Sequence, residues 1–467
     1  HMRHCAFSHC RNNMTARILC MIFLSVHLVD QVRCGHIVGF ATLNWVSHHR
    51  VLWTLGKELQ SRGHKYTHIL PSFAKETYDD VDVKAFNSSL TSKNTEGWFL
   101  RFASLKADYR KDVFALIELL TKIMPQKAQI SRQFCEDFLK HKTLIAQLKA
   151  SVDLVLCDVM NDCCFILANL LNATRVDVST VGFAGIIGTY LFDYPHAPLY
   201  ATLEVSIQLP SERKFSLINR LKGFVSHVVS WNAVSPNFVQ EDLWENYSKA
   251  NSKFTSAAVA RRVHGIALIP HDFVLEQSYP LGANIKVIGA MLPKPAQRLP
   301  EHLDKYMSEN KAVVIVSFGT ILSNYPTDLA QTIADELGQV PAAVLWKYSG
   351  AMPKNLSKNI KIISWFPKNE YSFNDILGHS SAKVFVTHGG VNSYQESVYH
   401  GVPMVVIPMT ADQPRQANLV EYKKLGVAVD WRFINAKDKV LQNAINKVLN
   451  NKVYEENTKR LSAIMKD

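Results

Sequence analysis

This 467-residue chain has no arginine-rich run, no zinc-type spacing of Cys and His, and no RNA-binding aromatic motif. Its net charge of +12 therefore does not read as a nucleic-acid surface, but as a dispersed basic surface facing small anionic ligands or an anionic membrane. There is no internal repeat of solenoid length and no low-complexity tract, which excludes stacked-repeat and disordered architectures. Cysteine is sparse, with eight residues and no C-x-x-C pair. Cys5, Cys10 and Cys20 lie near the start, Cys34 and Cys135 stand apart, and Cys157, Cys163 and Cys164 gather around a predicted strand end. The last three read as small apolar fillers, so no disulfide framework is expected. The apolar run from Ile18 to Val29 is too short to cross a bilayer comfortably. With Arg17 before it and the small residues Cys34 and Gly35 beyond Asp30, it has the pattern of a signal peptide, and Met14 is the expected initiator.

What is present is a globular composition, 47% hydrophobic and 20% charged, in a chain too long for one ordinary core. His36 to Leu43 reads as a strand, Val51 to Leu59 as an amphipathic helix and Tyr66 to Leu70 as a second strand, which begins a βαβ layout. Helical spacing runs from Asp112 to Lys149, and a buried strand from Val152 to Cys157. Met291 to Pro300 contains Pro293, Pro295 and Pro300 and reads as a linker, after which βα alternation restarts at Val313 and continues to Leu449. The expected division is a leader over 1–34, one α/β domain over 35–292 and a second over 293–467.

The densest chemistry lies between Trp365 and Gln413. A β-rich run from Lys383 to Val386 ends in Thr387, His388, Gly389 and Gly390, where backbone without side chains allows a ligand close approach. A helix is expected to start near Val391, and its unpaired N–H groups, with Asn392 and Ser393 beside them, make a site suited to a pyrophosphate. Glu396, three residues past Ser393, shares that helix face and is placed to accept hydrogen bonds from ribose hydroxyls. Pro403 to Pro408 forms the next strand and delivers Asp412 and Gln413 past its carboxyl end, where open α/β sheets bind ligands and two polar groups can read sugar hydroxyls. Each residue alone has a plain alternative as a loop or cap.

The series W-F-P-K, N-D-I-L-G-H, V-F-V-T-H-G-G-V-N-S-Y-Q-E and G-V-P-M-V-V-I-P-M-T-A-D-Q resembles the donor signature of the UDP-glycosyltransferases. That resemblance implies a GT-B fold, two Rossmann-like domains facing across a cleft, and transfer of a sugar from a UDP-sugar to a small lipophilic acceptor. It also implies that Trp365 stacks on uracil, that Thr320, in Ser317-Phe318-Gly319-Thr320, lies near the phosphates, and that Glu396 binds ribose. No cofactor beyond the UDP-sugar co-substrate and no metal is expected, because backbone dipoles stabilise the leaving diphosphate. Asp80-Val81-Asp82, a formal D-x-D, reads as an exposed acidic loop.

A second motif, Ser47-His48 followed by Arg62-Gly63-His64, resembles the family's catalytic-base signature, which maps onto His48. A histidine can take the proton of an acceptor hydroxyl as attack begins. Sequence does not separate His48 from His49, and a capping Ser47 beside a surface His is the alternative. The supporting carboxylate maps onto Asp158, at the end of the strand that follows Val152-Asp153, with a helix-capping role and Asp162 as alternatives.

Three departures qualify the resemblance. Lys368 replaces a usual Gln, with extra residues around Glu370 to Phe373. Pro270 stands where glucuronosyl members carry an arginine in L-I-R-x-x-W-D-F, which favours a neutral sugar such as glucose. The chain stops at Asp467, before the family's crossing helix, membrane span and basic tail, so membrane association is expected of a full-length form. Sequons at Asn87, Asn172, Asn246 and Asn355 fit a secretory lumen. An epimerase-like enzyme and a non-catalytic nucleotide-sugar binder remain as other readings. The acceptor wall is expected from Asn94 to Lys122 and Phe183 to Phe215.

Overall fold

The computed structural model describes residues 34–74, 76, 78, 80–103, 118–182, 240–263, 265–276, 281–319, 327–363, 372–409, 412–435 and 437–467. Two parallel sheets organise them. The first contains β1 (His36–Phe40), β2 (Lys65–Pro71), β3 (Asp82–Phe86), β4 (Leu154–Asp158), β5 (Thr174–Val178), β6 (Ile266–Ile269) and β7 (Ile285–Val287), in the spatial order β3-β2-β1-β4-β5-β6-β7. The second contains β8 (Val313–Ser317), β9 (Ala343–Lys347), β10 (Ile360–Ile363), β11 (Ala382–Thr387), β12 (Met404–Val406) and β13 (Gly426–Ala428), in the order β10-β9-β8-β11-β12-β13. Residues 291–300 run between the two without helix or strand. This is the GT-B architecture of two doubly wound domains.

Parallel strands buried on both faces read as continuous apolar runs, and HIVGF of β1 and VVIVS of β8 are buried at every position. Both sheets reverse strand order beside their first strand, between β1 and β4 and between β8 and β11. Ligands of such sheets bind outside the carboxyl ends at that switch point. Register places Phe40 beside Cys157 in one sheet and Ser317 beside Thr387 in the other, so Asp158 and His388 emerge at the two switch points.

The helices that position the site are α1 (Val46–Ser61), α2 (Ser92–Ala103), α3 (Met124–Leu139), α4 (Lys142–Lys149) and α5 (Cys164–Leu171) in the first half. Later come α6 (Glu241–Tyr247), α7 (Ala257–Arg262), α8 (Glu301–Glu309), α9 (Thr327–Leu337) and α10 (Phe373–Leu377), then α11 (Val391–Tyr399), α12 (Gln413–Tyr422), α13 (Val440–Asn450) and α14 (Lys452–Lys466). Their inner faces follow the helical period, as in α13, where Leu441, Ala444, Ile445 and Val448 are buried. In the first domain Phe40, Phe86, Phe134 and Phe138 form one aromatic cluster, with Phe40 and Phe138 centroids 4.7 Å apart.

Two expectations are corrected. The first helix was expected over Val51–Leu59 with Ser47 and His48 before it, yet α1 begins at Val46 and holds both residues in its first turn. The polar run from Ser47 to Arg50 hides the periodicity, because His48 and His49 are buried through hydrogen bonds instead of hydrophobicity. Gly63, at a φ of +93°, closes the helix: its N–H bonds Gln60 O and that of His64 bonds Leu59 O. Second, the cysteines read as fillers are paired. Cys135–Cys163 joins α3 to the turn before α5, and Cys157–Cys164 joins the end of β4 to the start of α5. Their Cα separations are 5.1 and 5.5 Å: the first arises where α3 packs on the βα loop after β4, the second where strand end and helix start meet across that loop, proximities that spacing in sequence does not display.

Candidate active site

One cleft collects the polar residues of both switch points. From the first domain it is lined by His48, Arg50, Trp45, Trp98, Met160 and Thr180. From the second it is lined by Ser317, Lys347, His388, Gly390, Asn392 and Ser393, with Glu396, Asp412 and Gln413 beyond them.

His48 is brought to the cleft by the first turn of α1. Its Nδ1 lies 2.8 Å from Asp158 Oδ2 and 2.6 Å from Thr180 Oγ1. Nε2 makes no hydrogen bond among the described residues. Asp158 is fully buried at the end of β4 and accepts from the N–H of Thr42 at 3.0 Å, the N–H of Met160 at 3.1 Å and the hydroxyl of Thr180 at 2.7 Å. Burial pushes its carboxyl upward, but the charge and hydrogen bond of His48, with Met160 and Thr180, outweigh that and hold it below the usual range. The group is thus a carboxylate that fixes an imidazole.

The structure separates the adjacent histidines. Both ring nitrogens of His49 are engaged, Nδ1 with His68 Nε2 at 2.9 Å and Nε2 with the carbonyl of Leu43 at 2.8 Å. Burial lowers its pKa to about 4, so it stays neutral and occupied at neutral pH. Asp162, the other carboxylate considered, is committed to a buried pair with Lys127 at 2.7 Å. Asp153 accepts the N–H of His36 at 2.8 Å. Asp80 pairs with Lys57, and Asp82 starts β3 and accepts from Thr67, which puts the formal D-x-D at the amino end of its strand, away from the cleft. Among the described residues no group of three or more His, Cys, Asp or Glu is arranged to hold a metal.

In the second domain α11 starts at Val391, immediately past Gly390. Asp412 Oδ2 accepts the N–H of Val391 at 3.2 Å, so this carboxyl caps the first donor and leaves the next turn of N–H groups, with Asn392 and Ser393, facing the cleft. Burial pushes Asp412 up to about 6, against the Val391 hydrogen bond. Gln413 accepts the N–H of Met409 at 2.8 Å through Oε1. Glu396 is pushed up to about 7 by burial, with Arg50 and Lys347 opposing the shift. His388 is lowered to about 4 by burial and then by Lys347, so it faces the cleft as a neutral imidazole. Close packing holds that ring: a Cβ on Gly319, whose φ is +83°, would meet His388 Cε1 at 2.8 Å.

Thr320 and Trp365 lie outside the described residues, as do Lys368 and the whole stretch from Phe183 to Phe215 expected as acceptor wall. Sequence reasoning missed Thr180, Arg50, Lys347 and Trp45. Arg50 makes a two-point contact with Glu76, at 3.1 and 2.6 Å, and Lys347 ends β9 with its pKa lowered to about 8 by burial and by Arg50. Position at the carboxyl end of a strand was the signal available for Lys347. The Trp45 and Trp98 rings stack at 6.2 Å, and Trp45 meets His48 edge-on at 4.9 Å, making an apolar wall beside the imidazole.

The far face of α11 ties the halves together. Gln395 donates to the carbonyl of Pro270 at 3.0 Å and to His271 Nδ1, and the Tyr394 hydroxyl donates to the carbonyl of Leu275 at 3.1 Å. Pro270, His271 and Asp272 therefore occupy a domain junction.

Comparison with known proteins agrees with this geometry. The family model described as UDP-glucoronosyl and UDP-glucosyl transferase matches residues 39–467. The chain is 31% identical to UDP-glucuronosyltransferase 2B33 of Macaca mulatta, covering 96% of this chain and 84% of that protein. It is 30% identical to human UDP-glucuronosyltransferase 2B7, covering 93% and 81%. Among solved structures, Os79 from O. sativa in complex with U2F and trichothecene superposes with a TM-score of 0.61 at 17% identity, over 92% of this chain and 95% of that one. The glycotransferase of kitacinnamycin gives 0.58 at 18%, over 93% and 95%; both likenesses concern the fold. With two switch points facing one cleft, and the family match running through both domains, the chain belongs to the UDP-glucuronosyl and UDP-glucosyl transferase family and is a glycosyltransferase that uses a UDP-sugar donor.

Proposed function

We propose that this enzyme transfers a hexosyl group, with inversion, from a UDP-sugar to a hydroxyl of a small lipophilic acceptor, with His48 as general base. The observation that carries the reading is the 2.8 Å contact between His48 Nδ1 and Asp158 Oδ2 at a cleft wall. With Nδ1 protonated toward Asp158, Nε2 is the basic atom. It accepts the acceptor's proton as the acceptor oxygen bonds to the anomeric carbon, and the bond from that carbon to the β-phosphate oxygen breaks, its electron pair leaving with UDP. Asp158 stabilises the imidazolium without taking the proton. Base catalysis of this kind contributes roughly 10²- to 10⁴-fold in rate.

The start of α11, with Gly390, Asn392 and Ser393, receives the diphosphate, and the neutral His388 donates one hydrogen bond to it. Glu396 takes ribose hydroxyls, and Asp412 and Gln413 read the sugar. Trp365 on uracil and Thr320 near the phosphates rest on the family resemblance. The wall of Trp45, Trp98, Met160, Val181 and Leu292 supports a lipophilic acceptor. No metal or further cofactor enters this scheme.

Glucose is the donor sugar read from the absence of an arginine at Pro270. A uronate is the second reading, favoured by the cations Arg50 and Lys347 in the cleft wall and by relatives named as glucuronosyltransferases. The proposed place of action is the endoplasmic reticulum lumen, in conjugation that detoxifies lipophilic compounds, on a membrane-associated full-length glycoprotein. Two disulfides fit an oxidising compartment, and the sequon asparagines Asn87, Asn172, Asn246 and Asn355 are exposed. Among the described residues no helix is long and apolar enough to cross a membrane.

The test is product mass spectrometry after incubation with a simple phenol and UDP-glucose or UDP-glucuronate, beside His48→Ala. A hexoside from UDP-glucose that disappears in the variant is the expected outcome. A uronide alone would move the reading to the uronate, and an unimpaired His48→Ala enzyme would remove His48 as base.

A further inference from the structure

Among the described residues, Thr180 is the one whose side chain lies within hydrogen-bond distance of both members of the His48–Asp158 pair. It lies two residues past Val178, which pairs in register with Asp158 across β4 and β5. Its backbone is held by its own N–H to the carbonyl of Val178 at 3.1 Å, and Ser179 bonds Leu268 at 2.8 Å. At 3% exposure its hydroxyl has little access to water, so its hydrogen must be placed among protein groups.

A threonine hydroxyl has one hydrogen to give and two lone pairs. Asp158, held ionised, only accepts, so the hydrogen goes to Oδ1 at 2.7 Å. The oxygen then turns lone pairs toward His48 Nδ1 at 2.6 Å, while Asp158 Oδ2 faces the same nitrogen at 2.8 Å. Two acceptors on one ring nitrogen are satisfied only if that nitrogen carries hydrogen.

We propose that Thr180 is a positioning residue of the transfer reaction, whose hydroxyl both orients Asp158 and shares the Nδ1 proton of His48, locking the tautomer in which Nε2 is bare toward the acceptor. The proposal rests on His48 being the base. Among the described residues Oδ1 is held only by the Thr180 hydroxyl and the Met160 N–H, so loss of the hydroxyl frees the carboxylate to turn.

Thr180→Val keeps the shape and removes the hydroxyl, Thr180→Ala removes it with less crowding, and Thr180→Ser keeps it. For Val and Ala, kcat should fall roughly 10- to 100-fold with both KM values within about twofold of the parent. Thr180→Ser should stay within about threefold of the parent. The proposal is overturned if Ser is as slow as Val, or if kcat survives in Val and Ala. It is also overturned if the donor KM rises with kcat kept, which would make Thr180 a substrate contact. His48→Ala is run in parallel, and its retention of activity would overturn the base assignment and this proposal together, whereas a silent His48→Ala beside an unaffected Thr180→Val overturns this proposal alone.

Discussion

Asp158 Oδ2 stands 2.8 Å from Nδ1 of His48, across 110 residues of sequence, because β4 and the loop after β1 end at the same edge of one sheet. The contact is buried, with a side-chain exposure of 8% for His48 and 0% for Asp158, so solvent does not compete for it. Asp158→Asn keeps the shape but presents an amide to Nδ1, which favours the unproductive tautomer. The expected loss in kcat is roughly 10²- to 10⁴-fold with UDP affinity unchanged. Single-turnover product formation beside calorimetric UDP titration checks it, and a fall in UDP affinity equal to the fall in rate would contradict the assignment.

UDP binding should tighten as pH falls. Glu396, raised to about 7, and Asp412, raised to about 6, are anionic above those values and would repel a diphosphate bound, as proposed, at the start of α11. Because binding an anion favours their protonated forms, linkage requires protonation to favour the anion. UDP dissociation constants measured between pH 8 and 5.5 should fall a few-fold, and Glu396→Gln should flatten the upper part of that dependence. A dissociation constant that rises on acidification would show that Glu396 takes the ribose hydroxyls in its ionised form and not, as expected here, through the carbonyl oxygen of its protonated form.

Stability should fall on acidification for a separate reason. His49 and His388 are lowered to about 4 by burial, so between roughly 6.5 and 4 the unfolded chain binds protons that the folded chain does not. Their contribution is present above about 6.5 and is lost as pH falls toward 4, at about 1.4 kcal/mol per pH unit for each. Urea midpoints across pH 7 to 5 report this. His49→Gln, which keeps two polar ends, should lower the slope by about one proton, and an unchanged slope would mean that His49 is not buried neutral.

The disulfides should be felt at the site as well as in stability. Cys157–Cys164 closes a short loop that includes Asp158, and Cys135–Cys163 a longer one, with chain-entropy contributions of about 2.5 and 3.5 kcal/mol. Cys157→Ala with Cys164→Ala should lower the melting temperature and reduce kcat without changing UDP affinity. Peptide mapping without reduction tests the pairing itself, and free thiols at 157 and 164 would refute it.

The fold, and the strand, glycines and helix that line the second domain's side of the cleft, were legible wherever local pattern carries the information. The apolar strands from Val313 and Lys383, the glycines after Thr387 and the helix at Val391 are all short-range features, and the structure places them at one switch point. What escaped was long-range or polar. Thr180 lies 22 residues from Asp158 and 132 from His48, with no periodic signal to mark it. The first turn of α1 was lost because its buried residues are histidines, and Cys157 and Cys164 looked like fillers because only the folded βα loop brings them together. Lys347 drew no reading from the sequence, although it ends 5% exposed in the cleft wall.

The junction of the domains depends on a buried ionic chain. Glu276, with its side chain fully buried, accepts from His271 Nε2 at 2.8 Å through Oε1 and from Arg415 of α12 through Oε2. His271 in turn meets Gln395 of α11, so the segment between β6 and β7 of the first sheet is bonded to two helices of the second domain. Removing one partner of such a pair leaves an uncompensated charge in the interior, which typically costs about 3–5 kcal/mol, more than the pair itself contributes. Arg415→Met should therefore lower the urea midpoint sharply, and adding Glu276→Gln should restore much of the loss, a non-additivity of at least about 1 kcal/mol. Because the same bonds fix the seat of α11 against the first domain, Arg415→Met should also raise the donor KM more than it lowers kcat. Additive effects of the two substitutions would show that Glu276 and Arg415 do not act as a unit, and the junction would then be held by the Tyr394 and Gln395 hydrogen bonds to the 270–275 backbone.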